Sequence, residues 1–210
     1  MELNPVEIRV LGALIEKDMT TPDYYPMSLN ALLNACNQKT NREPVTAYDE
    51  ATVMEGLEGL RSKSLAVFVH ESGSRVEKYR HRLGESFNFT RGELAVMAAL
   101  MLRGPQTVAE LRERAARLHV FEDQSVVEHT LQRLEAREGQ ALAKLMPRLQ
   151  GMKEARWVQL LEGEPEWTEE AVAAKGAAPG AVGLAERVEN LEAELRGLRA
   201  EFERFKEQFQ

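Results

Sequence analysis

The stretch LAVFVHESGSRVEKYRHRL, Leu65 to Leu83, decides the fold. Leu65 to Glu71 is a short apolar run rich in β-branched and aromatic side chains, Ser72, Gly73 and Ser74 supply a turn, and Val76 to Leu83 returns with alternating polarity. That pattern is a β-hairpin. Upstream, Val53, Leu57 and Leu60 are spaced i, i+4, i+7, the buried stripe of a helix running from Ala47 to Arg61. Farther back, Ser28 is placed to cap a helix carrying Leu29, Leu32 and Leu33. Asn4 caps an opening helix with Glu7 at its third position, close to a capping box. Helix, helix, helix, strand, turn, strand is the order of a winged helix-turn-helix domain.

The same order returns. Asn4 to Asp18 lies over Thr90 to Gly104 without a gap, matching Glu7 with Glu93, Ile8 with Leu94, Val10 with Val96, Leu11 with Met97 and Leu14 with Leu100. Ser28 to Leu32 matches Thr107 to Leu111, and the Val53, Leu57, Leu60 stripe matches Val127, Leu131, Leu134. The second strand pair reads as Ala141 to Leu145, a loop from Met146 to Lys153, and Arg156 to Leu161. The expected architecture is mainly α with small β-hairpins, an α+β class. It comprises tandem winged helices at 1–87 and 88–162, a flexible linker at 163–183 and a C-terminal coiled-coil helix at 184–210.

Tyr25 to Val45, YPMSLNALLNACNQKTNREPV, resembles the signature of the YceH family of bacterial proteins. Arg103 to Thr107, Arg117 to Phe121 and the Pro147 to Leu161 wing agree with it, so the resemblance covers roughly residues 3 to 162. It implies a tandem winged-helix body. It implies no activity, because the family is defined by sequence and fold.

Composition bounds the rest. Of 210 residues one is cysteine, Cys36, so no intrachain disulfide forms, and the lone thiol fits a reducing cytoplasm. Met1 to Pro5 lacks the charge and apolar pattern of a signal peptide. The longest apolar run, Leu94 to Leu102, is too short to span a bilayer, so no membrane partner is expected. His70, His81, His119 and His129 share no ligand spacing with one another or with Cys36, and no HExxH, CxxC, GxSxG or Walker-type loop occurs. The expectation is a protein without cofactor or catalytic centre, with Cys36 buried on the apolar face of the second helix.

Candidate contacts are polar and basic. Asn37, Gln38, Lys39, Thr40, Asn41 and Arg42 fall in the turn between the second and third helices, where they could meet phosphates or base edges. The same amides and hydroxyls could equally tie down a long turn by bonding its backbone. Arg75, Lys78, Arg80 and Arg82 cluster on the first hairpin, and Arg148, Lys153 and Arg156 on the second. Alternate strand residues share a face, so Lys78, Arg80 and Arg82 point together, although a charge-protected edge strand gives the same pattern. Against DNA stand the formal net charge of −7 and the third helices, which carry Asp49, Glu50, Glu55 and Glu58 against only Arg61 in one copy, and Glu122, Asp123, Glu128, Glu135 and Glu138 against Arg133 and Arg137 in the other. Two functions survive. The first is a dimeric regulator binding double-stranded DNA, favoured by fold analogy. The second is a protein-interaction scaffold facing a basic partner, favoured by charge placement.

Beyond the linker, Leu184, Val188, Leu191, Leu195, Leu198, Phe202 and Phe205 alternate spacings of four and three, a heptad seam. In a parallel pair Arg187 faces Glu192, Glu194 faces Arg199 and Glu201 faces Lys206, all opposite in sign. Residues five apart on one helix gain nothing from such pairing within a chain, which favours a homodimer over a helix folded back on its own body. Glu194→Lys with Glu201→Lys should therefore lower the mass measured by sedimentation equilibrium; an unchanged mass would refute the pairing.

Overall fold

The computed structural model describes residues 2–70 and 76–176, so Arg75, the Ser72 to Ser74 turn and the heptad seam lie outside the described residues. The described chain is α+β, with eight α-helices and small antiparallel sheets. No helix among the described residues is long and apolar enough to cross a membrane.

The first half runs α1 (Pro5–Thr20), a 3-10 turn (Pro22–Tyr24), β1 (Met27–Ser28), α2 (Leu29–Cys36), α3 (Glu50–Ser62), β2 (Ala66–Val69), β3 (Lys78–His81) and α4 (Leu83–Phe87). Asn4 caps α1 in a full capping box, its Oδ1 accepting from the Glu7 amide at 2.8 Å while Glu7 accepts from the Asn4 amide at 2.8 Å. The Ser28 hydroxyl caps α2 as its position predicts. α3 begins at Glu50 rather than Ala47, because the Asp49 carboxylate accepts from the Thr52 amide at 2.8 Å and fixes the first turn there.

The second half repeats the order as α5 (Arg91–Arg103), α6 (Val108–Ala115), α7 (Gln124–Glu135), β4 (Ala143–Met146) and β5 (Arg156–Gln159). Thr90 and Thr107 each close a capping box, with Glu93 and Glu110. The repeat reaches further than periodicity revealed. β1 adds a third strand to the first hairpin, in the order β1-β3-β2, with Met27 opposite Tyr79. At the matching place in the second half an isolated bridge pairs Gln106 with Trp157, through amide-to-carbonyl bonds of 3.0 and 2.8 Å. A strand of two residues is too short to show alternation, so the sequence reading missed it in both copies.

The linker reading needs one correction: Glu169–Gly176 is a helix, α8, inside the stretch taken as structureless. Thr168 starts it, accepting from the Ala171 amide at 3.1 Å through its hydroxyl, and the Trp167 indole N–H donates to the Pro147 carbonyl at 2.7 Å. Glycine and proline flanks masked a run in which six of eight residues, the Glu, Ala and Lys, are good helix formers.

The core explains why α1 and α5 lack a polar face. Glu7 to Glu16 of α1 are buried without interruption, as is Ala95 to Leu102 of α5. A helix covered on every side belongs at the centre of a fold. Here α1 and α5 pack on each other, with α2 and α3 over α1 and α6 and α7 over α5. Contact is tight at Gly12, where an added Cβ would lie 3.0 Å from Leu102 Cδ2 and 3.2 Å from Met101 Cβ. Gly12→Ile should overpack this joint and cost about 1–3 kcal/mol, read as a lower urea midpoint at unchanged slope. Wild-type stability would mean that the two helices have room to spare.

Candidate functional site

Charged groups on the central helices must be paired where they are buried, and the pairing decides which predicted contacts remain at the surface. Glu16, on α1, is fully buried. Its Oε1 and Oε2 accept from Arg42 Nη1 and Nη2 at 2.9 and 2.5 Å, a bidentate pair, and Oε1 also accepts from Arg117 of the second half. Burial pushes the Glu16 carboxyl up, but the hydrogen bonds and charge of Arg42, with Arg117 and Lys17, outweigh it and hold the group below the usual carboxylate range.

Within the Asn37 to Arg42 turn, this takes Arg42 away from the surface. Arg42 has a fully buried side chain and spends its remaining N–H groups on the carbonyls of Ala35 and Asn41 and on Gln38 Oε1. Asn37 exchanges two 2.8 Å bonds with the Tyr48 backbone and accepts from the Thr46 hydroxyl at 3.2 Å. Asn41, in the left-handed region at φ 59°, accepts from Arg103 Nη1 at 3.0 Å. Only Lys39 and Thr40 of the six are exposed. The turn thus bonds its own backbone and reaches across to the second half, where the Glu43 amide also donates to the Leu102 carbonyl at 2.9 Å. Cys36 is buried as expected, and burial pushes its thiol up to about 12, with Arg42 and Arg9 pulling the other way.

The hairpins show the same economy. On β3, Tyr79 and His81 are buried, whereas Lys78, Arg80 and Arg82 share the outer face as their alternation predicts. Glu85 of α4 accepts from Arg80 at 2.6 Å and from Arg82 at 2.9 Å, and these hydrogen bonds hold its carboxyl below the usual range. On the second hairpin Arg156 is tied to the Pro105 carbonyl at 2.9 Å and to Glu110 at 2.7 Å, while Arg148 and Lys153 stay exposed.

On the third helix of each half the arginines contact neighbouring groups while remaining exposed, and the acids face solvent. Arg61 lies over the Phe68 ring at 3.6 Å, Arg133 reaches the buried Glu93 at 3.1 Å, and Arg137 sits beside the Phe87 and Phe89 rings. Glu50, Glu55 and Glu58 of α3, and Glu128 and Glu135 of α7, remain exposed. No three metal-ligating side chains cluster among the described residues.

The residues that sequence reasoning passed over are Glu16, Arg117 and Arg9, each joining segments far apart in the chain. Arg9 donates to the Cys36 and Pro44 carbonyls at 3.2 and 2.5 Å. The available signal was three charged residues, Glu7, Arg9 and Glu16, on a helix otherwise apolar between its ends.

Repeated helical halves packed through two central helices and a buried ionic joint make an α+β protein, and comparison with known proteins gives its family. Residues 3–152 match the model described as "Protein of unknown function, DUF480". A UPF0502 protein of Solibacter usitatus is 51% identical over 212 residues, covering 100% of this chain and 98% of that protein. A UPF0502 protein of Citrifermentans bemidjiense is 53% identical over 193 residues, covering 92% and 88%. The chain belongs to the UPF0502 family, in keeping with its YceH-like signature.

Arg42→Ala would leave Glu16 buried and short of its bidentate partner, and should cost about 3–5 kcal/mol in urea unfolding. Because the folded-state pKa of Glu16 is depressed, its contribution is present above the ordinary carboxylate range and is lost as pH falls through the folded value. Glu16→Gln should flatten the fall in stability measured from about pH 6 to about pH 3. Parallel curves for the two proteins would remove Glu16 from the account.

Proposed function

We propose that this chain is a non-catalytic recognition module of two winged helices in tandem, cytoplasmic and held as a homodimer by its C-terminal heptads. Its acidic α3 and α7 engage a basic protein surface. The observation that carries this reading is the balance of charge on those helices. Five carboxylates, Glu50, Glu55 and Glu58 on α3 and Glu128 and Glu135 on α7, face solvent against one arginine on each helix, Arg61 over the Phe68 ring and Arg133 paired with Glu93. A winged helix that reads DNA lays this helix against phosphates, which repel such a face. Support for the winged-helix assignment comes from the repeated element order and from the third strand returning in both halves as Met27 and Gln106.

A second reading, a DNA-binding regulator, rests on one observation: Arg148 and Lys153 are exposed on the second hairpin. Fluorescence anisotropy with a mixed-sequence duplex at about 50 and about 200 mM salt separates the two, since several phosphate contacts change affinity by orders of magnitude over that range. The expected result is no duplex binding by the wild type, and a gain of salt-sensitive binding when Glu50, Glu55 and Glu58 are all changed to Lys. Tight wild-type binding that collapses with salt and weakens in Arg148→Ala with Lys153→Ala would overturn the protein-binding reading in favour of DNA.

A further inference from the structure

The two halves and the segment after β5 enclose a cleft of about 1030 Å³. Ile8 of α1, Tyr48 of the long turn, Met101 of α5, Met152 and Val158 of the second hairpin, and Trp167 give it apolar lining. Clefts of this kind between structural units, apolar with a few convergent polar groups, are the usual form of small-molecule sites.

Its lining cations are unevenly matched. Arg114 and Arg156 both pair with Glu110, at 3.4 and 2.7 Å. Arg9 and Arg103 line the same cleft, and neither has a carboxylate oxygen within 4.0 Å among the described residues. Arg9 is 4% exposed and bonded to the carbonyls of Cys36 and Pro44. Arg103 donates from Nη1 to Asn41, and its Nε is buried without any hydrogen-bond partner among the described residues. One segment brings the two together, since Pro44 accepts from Arg9 while the neighbouring Glu43 amide donates to Leu102, the residue before Arg103. A guanidinium keeps its charge in proteins, and burying charge without a counter-charge is costly. Glu43, Glu154, Glu162 and Glu166 also line the cleft, but an anion entering it would be the first in direct ionic contact with either arginine among the described residues.

We propose that the cleft binds a small amphipathic anion, a carboxylate or a phosphate ester on an apolar or aromatic body. Arg9 and Arg103 take the anionic group, and Ile8, Tyr48, Met101 and Met152 cover the body. The site stands independently of whether the acidic helices meet protein or DNA. A ligand there touches α1, α5 and the turn between α2 and α3, so it ties the two halves together and stabilises the fold by mass action.

The probe pair is anilinonaphthalene sulfonate, an anionic aromatic dye, and N-phenylnaphthylamine, its neutral relative, titrated by fluorescence into the full-length protein. Saturable binding of the anionic dye at one site per chain is expected, with Arg103→Gln weakening it about tenfold or more and leaving the neutral dye unchanged. Octanoate and phenyl phosphate serve as competitors, and displacement by one of them assigns the head group. Lack of saturation, displacement by neither competitor, or equal effects of Arg103→Gln on both dyes would overturn the proposal. Should Arg103→Gln lose the wild-type circular dichroism and melting temperature, Met152→Glu reads the same site, because a carboxylate in the apolar lining should abolish binding of the anionic dye. Unchanged affinity in that variant would overturn the proposal equally.

Discussion

Glu16 lies where a carboxylate is costly, at full burial beside the joint of α1 and α5, and the arrangement of both halves follows from how that cost is met. Two guanidiniums reach it. Arg42 comes from the turn between α2 and α3, and Arg117 from the segment after α6 in the other half. To deliver Arg42, the turn must close over the α2 C-terminus, which the Arg42 bonds to Ala35 and the Asn37 bonds to Tyr48 accomplish. Once closed, it presents Asn41 to Arg103 and the Glu43 amide to Leu102. A single buried acid thereby couples a local turn to the docking of one half on the other.

The same accounting governs the surface. Arginines, whose flat guanidinium stacks on rings and forks onto carboxylates, are engaged by Phe68, Phe87, Glu93 and Glu110. Glutamates with no inward partner stay in water along α3 and α7. The charge that a partner would meet is therefore more negative than the count of basic residues on the hairpins suggests, and this shapes the functional reading more than the element order does.

Much of the fold was legible in the chain. The caps at Asn4, Ser28, Thr90 and Thr107, the stripes at Val53 and Val127, and the strand alternation around Tyr79 are local, and local stereochemistry is written in neighbouring residues. What escaped was short or distant. β1 and the Gln106 bridge are too brief to show a period, and α8 hid behind glycine and proline. The candidate contacts fared worse. Asn37, Asn41, Arg42 and Arg156 carry the residue types of a nucleic-acid surface, but type alone does not reveal whether a partner inside the protein has already claimed the side chain.

The sequence by itself determined the repeated order of helices and strands and their caps, because each depends on contacts within a few residues. Only the tertiary structure decided which charges remain for a partner. Pairing across 26 residues from Glu16 to Arg42, and across 101 to Arg117, is set by how helices pack, and no periodicity along the chain encodes it.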